Sequence, residues 1–227
     1  MGSNVPTGVR SVASYDEDTA TMGVEAARIA LLPLRDHANP AAVWFSSSNP
    51  PYMDKTNANV IHAALQLAKS TSAYDFGGAE KSGIGALKTA LSSTETLLLV
   101  QSDIRSGLPS SEDEVYGGDA ASALLIGSDE DGPLVARYLG GSSASEEFID
   151  RWRDPYERNT KSWEERFVVT RYLRLIDSAW EQALATSGLA PEEISTVVIS
   201  GSNNRAKSQT SKALGIEKAR VDLSESV

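Results

Sequence analysis

The chain has no cysteine among its 227 residues and only two histidines, His37 and His62. Thiolate catalysis and disulfide cross-links are therefore excluded within it. A zinc or other transition-metal site is not expected either, because the two imidazoles stand far apart in sequence and have no thiolates to join them. Long apolar runs are missing as well; none approaches the roughly 18–20 residues that span a bilayer. Residues 1–8 lack the charged and apolar regions of a secretory signal, so the expected compartment is the cytoplasm. Positive charge is scarce. With 21 Lys and Arg against 31 Asp and Glu, the net charge is −10, opposite to a nucleic-acid surface. An anionic ligand would need a local basic patch. The dinucleotide fingerprint is also lacking: Gly77, Gly78, Gly83 and Gly85 cluster, but without its spacing.

What remains is an ordinary globular composition, 41% apolar and 23% charged. Residues 16–32 open with acidic capping residues, become Ala-rich and meet Pro33, which predicts a helix. The apolar run 41–46 predicts a buried strand, and Asp54 is the expected cap of a second helix carrying Ala58, Ile61 and Leu65 on one face. A strand over 72–76, a helix from about Lys81 and a buried strand over 96–101 complete the grammar of a parallel sheet with crossover helices. Strands over 120–127 and 134–139 are expected to form a hairpin across the acidic turn 128–132. Residues 141–170 read as an ordered excursion anchored by Trp152, Tyr156 and Trp163, with Glu112, Asp113 and Glu114 in a solvated loop. A helix ending at Gly188, a strand over 196–200 and a helix over 205–214 follow. The fold class is α/β, and the best count is one domain.

The stretch Tyr74-Asp-Phe-Gly-Gly-Ala-Glu-Lys-Ser-Gly83 runs from strand through a small-residue turn into a helix. Such a junction exposes a side chain at a helix N-terminus, where backbone N–H groups favour negative charge. Glu80 occupies it and is the candidate catalytic group, as a general base. The bland alternative is an N-terminal helix acid complementing the dipole. Ser47, within the run Ser46–Ser48, is a candidate for orienting a substrate carbonyl, although a serine cluster before Asn49-Pro50-Pro51 is more often turn chemistry. His62 suits a core or interface histidine satisfied by a hydrogen bond.

Several segments together resemble the thiolase superfamily, in its 3-hydroxy-3-methylglutaryl-CoA synthase and ketoacyl-synthase III branch. They are Arg10-Ser-Val-Ala-Ser-Tyr-Asp-Glu-Asp-Thr19, Phe45-Ser-Ser-Ser-Asn-Pro-Pro-Tyr52, Asp75-Phe-Gly-Gly-Ala-Glu-Lys-Ser-Gly83, Ser102-Asp-Ile-Arg105, Gly118-Asp-Ala-Ala-Ser-Ala123 and Asp150-Arg-Trp-Arg153. The resemblance implies a thiolase-like mixed sheet with helices on both faces, assembled as a dimer. It implies an acyl-CoA thioester as ligand and no intrinsic cofactor. It also implies that residues 1–195 match the family's N-terminal half and 196–227 the beginning of its C-terminal half, as a fragment. The thioester-activating histidine and asparagine of the family would then lie beyond Val227.

Two departures stand out. Where the family pattern Asp-x-x-x-Ala-Cys-x-x-Gly has its nucleophile, this chain has Glu80. Where the synthase branch has a catalytic glutamate, it has Ser47. By resemblance the protein would act on or bind an acyl-CoA without an acyl-enzyme step, with Glu80 at the reacting centre and Ser47, Arg105 and Arg153 contacting the ligand. Two alternatives are a non-catalytic scaffold subunit and a CoA-ester aldolase working with a zinc-ribbon/OB-fold partner.

Overall fold

The computed structural model describes residues 10–34, 39–128, 134–155, 157, 159–163, 165–214 and 220–223. His37, Tyr156 and residues 129–132 of the expected acidic turn lie outside the described residues. The chain divides into two compact units, one from residues 1–105 and 117–137 and the other from 106–116 and 138–226.

The first unit is built on a four-stranded mixed sheet in the order β2-β1-β3-β4. Its strands are β1 (Ala42–Ser47), β2 (Ser72–Gly77), β3 (Leu97–Asp103) and β4 (Ala120–Ile126). β1 runs parallel to both neighbours, with Phe45 opposite Asp75 on one side and Val100 on the other, while β4 is antiparallel to β3. Residues 42–45 of β1 and 97–100 of β3 are apolar without interruption because helices cover both of their faces. On one face Val43 and Phe45 join Leu98 and Val100 against Ala27 of α1 (Thr19–Leu31) and Ala58 and Ile61 of α2 (Ala58–Ala64). On the other, Ala42, Leu97 and Leu99 meet Ala86 and Ala90 of α3 (Ser82–Leu91). The small buried residues of α1, among them Ala20, Gly23 and Ala27, let that helix lie close on the sheet.

Capping decides where two of these helices begin. Asp18 closes a capping box at α1, accepting from Thr21 N while its own N–H donates to Thr21 Oγ1. At α2 the expected cap is corrected. Asp54 sits before the helix at φ 58°, and no side chain caps from the N-cap position Asn57. The acceptor comes instead from the neighbouring strand: Asp75 takes Asn57 N at 2.7 Å, Asn57 Nδ2 at 3.0 Å and Ala58 N at 2.7 Å. Asn57, 2% exposed, then ties Tyr52 and Lys55 to the same point. Sequence spacing cannot reveal a cap supplied across the fold. Asp75→Ala is expected to lower stability by about 2 kcal/mol, because hydrogen bonds to a charged acceptor contribute ~1.5–3 and the donors lose it. Urea denaturation, with Asp75→Asn falling between, checks this; a change below about 0.5 kcal/mol would refute the cap.

The hairpin expected over 120–139 is also corrected. β4 forms, but 134–139 is not a strand: Leu134, Val135, Tyr138 and Leu139 are all exposed, and an apolar run with no face to cover has nothing to hold it extended.

The second unit contains α4 (Glu112–Tyr116), where a solvated loop was expected, the two-residue antiparallel pair β5 (Arg151–Trp152) and β6 (Lys161–Ser162), and the long helix α5 (Glu165–Ser187). α5 begins within the stretch 141–170, and Gly188 ends it at φ 71°. A parallel pair, β7 (Thr196–Ile199) with β8 (Arg220–Leu223), packs with α6 (Asn204–Ala213). Asn203 caps α6 by accepting from Ala206 N. Among the described residues no helix is long and apolar enough to cross a membrane.

Candidate functional site

Strands β2, β1 and β3 run in one direction, so Gly77, Ser47 and Asp103 finish at the same edge of the sheet. The carboxyl edge of parallel strands is where α/β folds gather their reactive groups. From Gly77 the chain turns through Gly78, whose φ of +101° suits glycine, and reaches α3 within a few residues. Ser82 braces this turn: its hydroxyl donates to Gly77 O at 2.8 Å and accepts from Ala79 N at 3.2 Å. α3 is drawn in against β3. At Gly83 a Cβ would stand 2.4 Å from Gln101 Nε2, so a larger residue would require that side-chain amide to move aside.

Glu80 lies in this turn, immediately ahead of α3. Its carboxylate pairs with Arg105 at 2.6 Å, and the two side chains are 33% and 23% exposed. The pair is therefore partly desolvated yet reachable from solvent. Arg105 follows β3 by two residues, and its position is set by Asp119 at the start of β4. Asp119 is 8% exposed. One of its oxygens accepts Arg105 N at 2.7 Å and the other Ala13 N at 2.8 Å, while its own N–H donates to Ser11 O. The Gly118-Asp119 element is thus a staple joining three segments.

Ser47 is placed differently from Glu80 and Arg105. It is 3% exposed; its hydroxyl donates to Asp103 Oδ1 at 3.1 Å and accepts from Asn49 N at 3.0 Å. The same Asp103 oxygen accepts Ser48 N at 2.7 Å and Ser48 Oγ at 2.9 Å. Asn49 Nδ2 donates to Ile104 O, and Thr19 Oγ1 to Asn49 O. The serine run is turn chemistry organised by one carboxylate, and Ser47 shapes the loop with its donor already committed. Asp103 is the residue that sequence reading did not single out. Its signal was a carboxylate closing a buried strand two places before Arg105.

Arg153 belongs to the second unit, where its side chain is exposed. Its neighbour Arg151 is taken by Asp113, with Nη2 donating to both carboxylate oxygens at 2.9 Å. These two line a cavity of about 430 Å³ in the second unit, together with Asp150, Trp163, Tyr172 and Asn203. The Tyr172 hydroxyl donates to Asp150 there. Such a volume fits a small molecule, but the one guanidinium in its wall already has a carboxylate partner. His62 sets its ring against Ala68 O at 3.0 Å, a local tie beside α2. Among the described residues no group of three or more His, Asp or Glu could hold a metal ion.

No family model matches the chain. Curated relatives do. The hydroxymethylglutaryl-CoA synthase of Pyrococcus horikoshii is 28% identical over 225 residues, covering 96% of this chain and 64% of the relative. That of Thermococcus onnurineus is 29% identical over 225 residues. The chain thus spans 64% of the length of these relatives. Among solved structures, a cysteine-to-alanine OleA from Xanthomonas campestris superposes with a TM-score of 0.80 at 18% identity, over 96% of this chain and 70% of that one. MvaS in complex with 3-hydroxy-3-methylglutaryl coenzyme A gives a TM-score of 0.71 at 19% identity, over 90% and 53%. The mixed sheet covered by helices on both faces is the arrangement these neighbours share with this chain. The fold is thiolase-like, as in these solved neighbours, and the sequence is similar to hydroxymethylglutaryl-CoA synthases.

Proposed function

We propose that this protein binds an acyl-CoA thioester and acts on it without a covalent acyl-enzyme, using Glu80 as a general base. The observation that carries the reading is the place of Glu80: a solvent-reachable carboxylate on the turn between β2 and α3, where the resemblance puts the family's cysteine. No cysteine stands anywhere in the chain to accept an acyl group. A carboxylate there can take and return a proton but cannot form the S-acyl intermediate that a cysteine forms. The reaction classes that fit are decarboxylation and aldol or retro-aldol chemistry on the ester. MvaS was solved with an acyl-CoA, and another OleA structure contains lauric acid and lauroyl-CoA, which supports the ligand class. A homodimer is proposed through β2, an edge strand carrying the exposed Tyr74, because an open edge is satisfied by pairing with a second copy.

The rival reading is a scaffold subunit. The ion pair favours it, because Arg105 already occupies the carboxylate that a general base would have to offer. Thermal denaturation of the full-length protein with acyl-CoAs of increasing chain length separates the two. Binding at 100-fold over Kd should add about 2.7 kcal/mol of stability, a rise of several degrees in Tm. An unmoved Tm with every ester ends the enzyme reading, whereas turnover by the purified protein alone ends the scaffold reading.

A further inference from the structure

The Glu80–Arg105 pair has the chemistry of an occupied receptor. A guanidinium offers a planar fork of donors that matches a carboxylate, and here a carboxylate of the same chain lies against it at 2.6 Å with both side chains part-exposed. The backbone of Arg105 is anchored independently, through Asp119 Oδ1 at 2.7 Å. Removing Glu80 therefore leaves that anchor intact. We infer that Arg105 is the recognition site for a carboxylate at the far end of the ligand's acyl group, and that Glu80 fills it while no ligand is bound.

This inference rests on the acyl-CoA reading above and names the substrate class within it. The placement of the pair selects the acyl carboxylate over the other anions of such a ligand. Glu80 stands where the acyl group would be handled, and Arg105 touches it. The phosphates of coenzyme A lie a whole pantetheine arm away. The exchange also resolves the conflict between the two readings of Glu80. A ligand carboxylate that takes Arg105 displaces the carboxylate of Glu80 from that guanidinium, beside the bound acyl group. A neutral acyl group cannot make the exchange, so Glu80 stays against Arg105. An internal carboxylate competes as a tethered ligand at an effective concentration in the ~mM range, which lowers the affinity seen by any carboxylate from solution.

Calorimetric titration of the full-length protein tests this with butyryl-CoA, succinyl-CoA and free coenzyme A. The two esters have acyl chains of equal length, and only one ends in a carboxylate. Glu80→Gln should tighten succinyl-CoA about tenfold and butyryl-CoA less than about twofold. Arg105→Gln should abolish the preference for the charged ester, and Glu80→Ser serves if the glutamine variant folds poorly. Equal tightening on all three ligands would assign Arg105 to phosphate and overturn the inference, with the acyl-CoA reading intact. An unchanged ratio of the two esters also overturns it. No binding of any ester to any variant brings down both.

Discussion

Phe45→Ala is expected to cost about 3–5 kcal/mol, the largest single loss in the first unit. Phe45 is 1% exposed in the central strand β1, and its ring belongs to the cluster in which Ala27, Ala58, Ile61, Leu98 and Val100 meet. Truncation removes the ring from contact with two helices and the adjacent strand at once. Apart from Leu98 the buried residues of that cluster are small or β-branched, so little can collapse into the space. Guanidinium denaturation followed by circular dichroism gives the number. Phe45→Leu, keeping most of the volume, should recover more than half of the loss. If Phe45→Ala costs below about 1 kcal/mol, β1 is not the centre of the core.

Asp119→Ala should cost about 2–3 kcal/mol, because it leaves the amides of Arg105 and Ala13 without their acceptor. Unlike the core truncation, this change is expected to be read locally as well. Exchange of the Arg105 and Ala13 amide protons should speed up well before that of the β1 and β3 ladders, and Asp119→Asn should lie between. Uniform acceleration across the first unit would mean that Asp119 supports the fold generally and does not position Arg105. With Arg105 loosened, the pair with Glu80 weakens too, so this variant links stability to the candidate site.

Much of the fold was legible because burial writes itself into periodicity. The apolar runs of β1 and β3 can only be strands covered on both faces, and the Ala-rich helices around them predict the layers. Where apolar pattern had no tertiary partner, the reading failed. Residues 134–139 look like a strand, yet β4 has none beside it there, and their side chains are exposed. α4 went unread for the opposite reason, since three consecutive acids suggest solvent while also suiting the first turn of a helix. At the site, the strand-turn-helix junction and Glu80 were visible in order and spacing. The pairing of Glu80 with Arg105 was not, because the partners stand 25 places apart in the chain and no local rule connects them.

By itself the sequence determined the chemistry that this chain cannot perform and the residue types left to work with. The absence of cysteine rules out a thiolate, and the excess of 31 acids over 21 bases makes each arginine near the site count. The tertiary structure decided which of those residues meet. Parallel pairing brings the ends of β2, β1 and β3 to one edge, and there Asp103 claims the serines, Asp119 fixes Arg105, and Arg105 holds Glu80. Periodicity encodes which face a residue presents; hydrogen bonds between segments distant in the chain depend on register and crossover, and only the folded sheet specifies those.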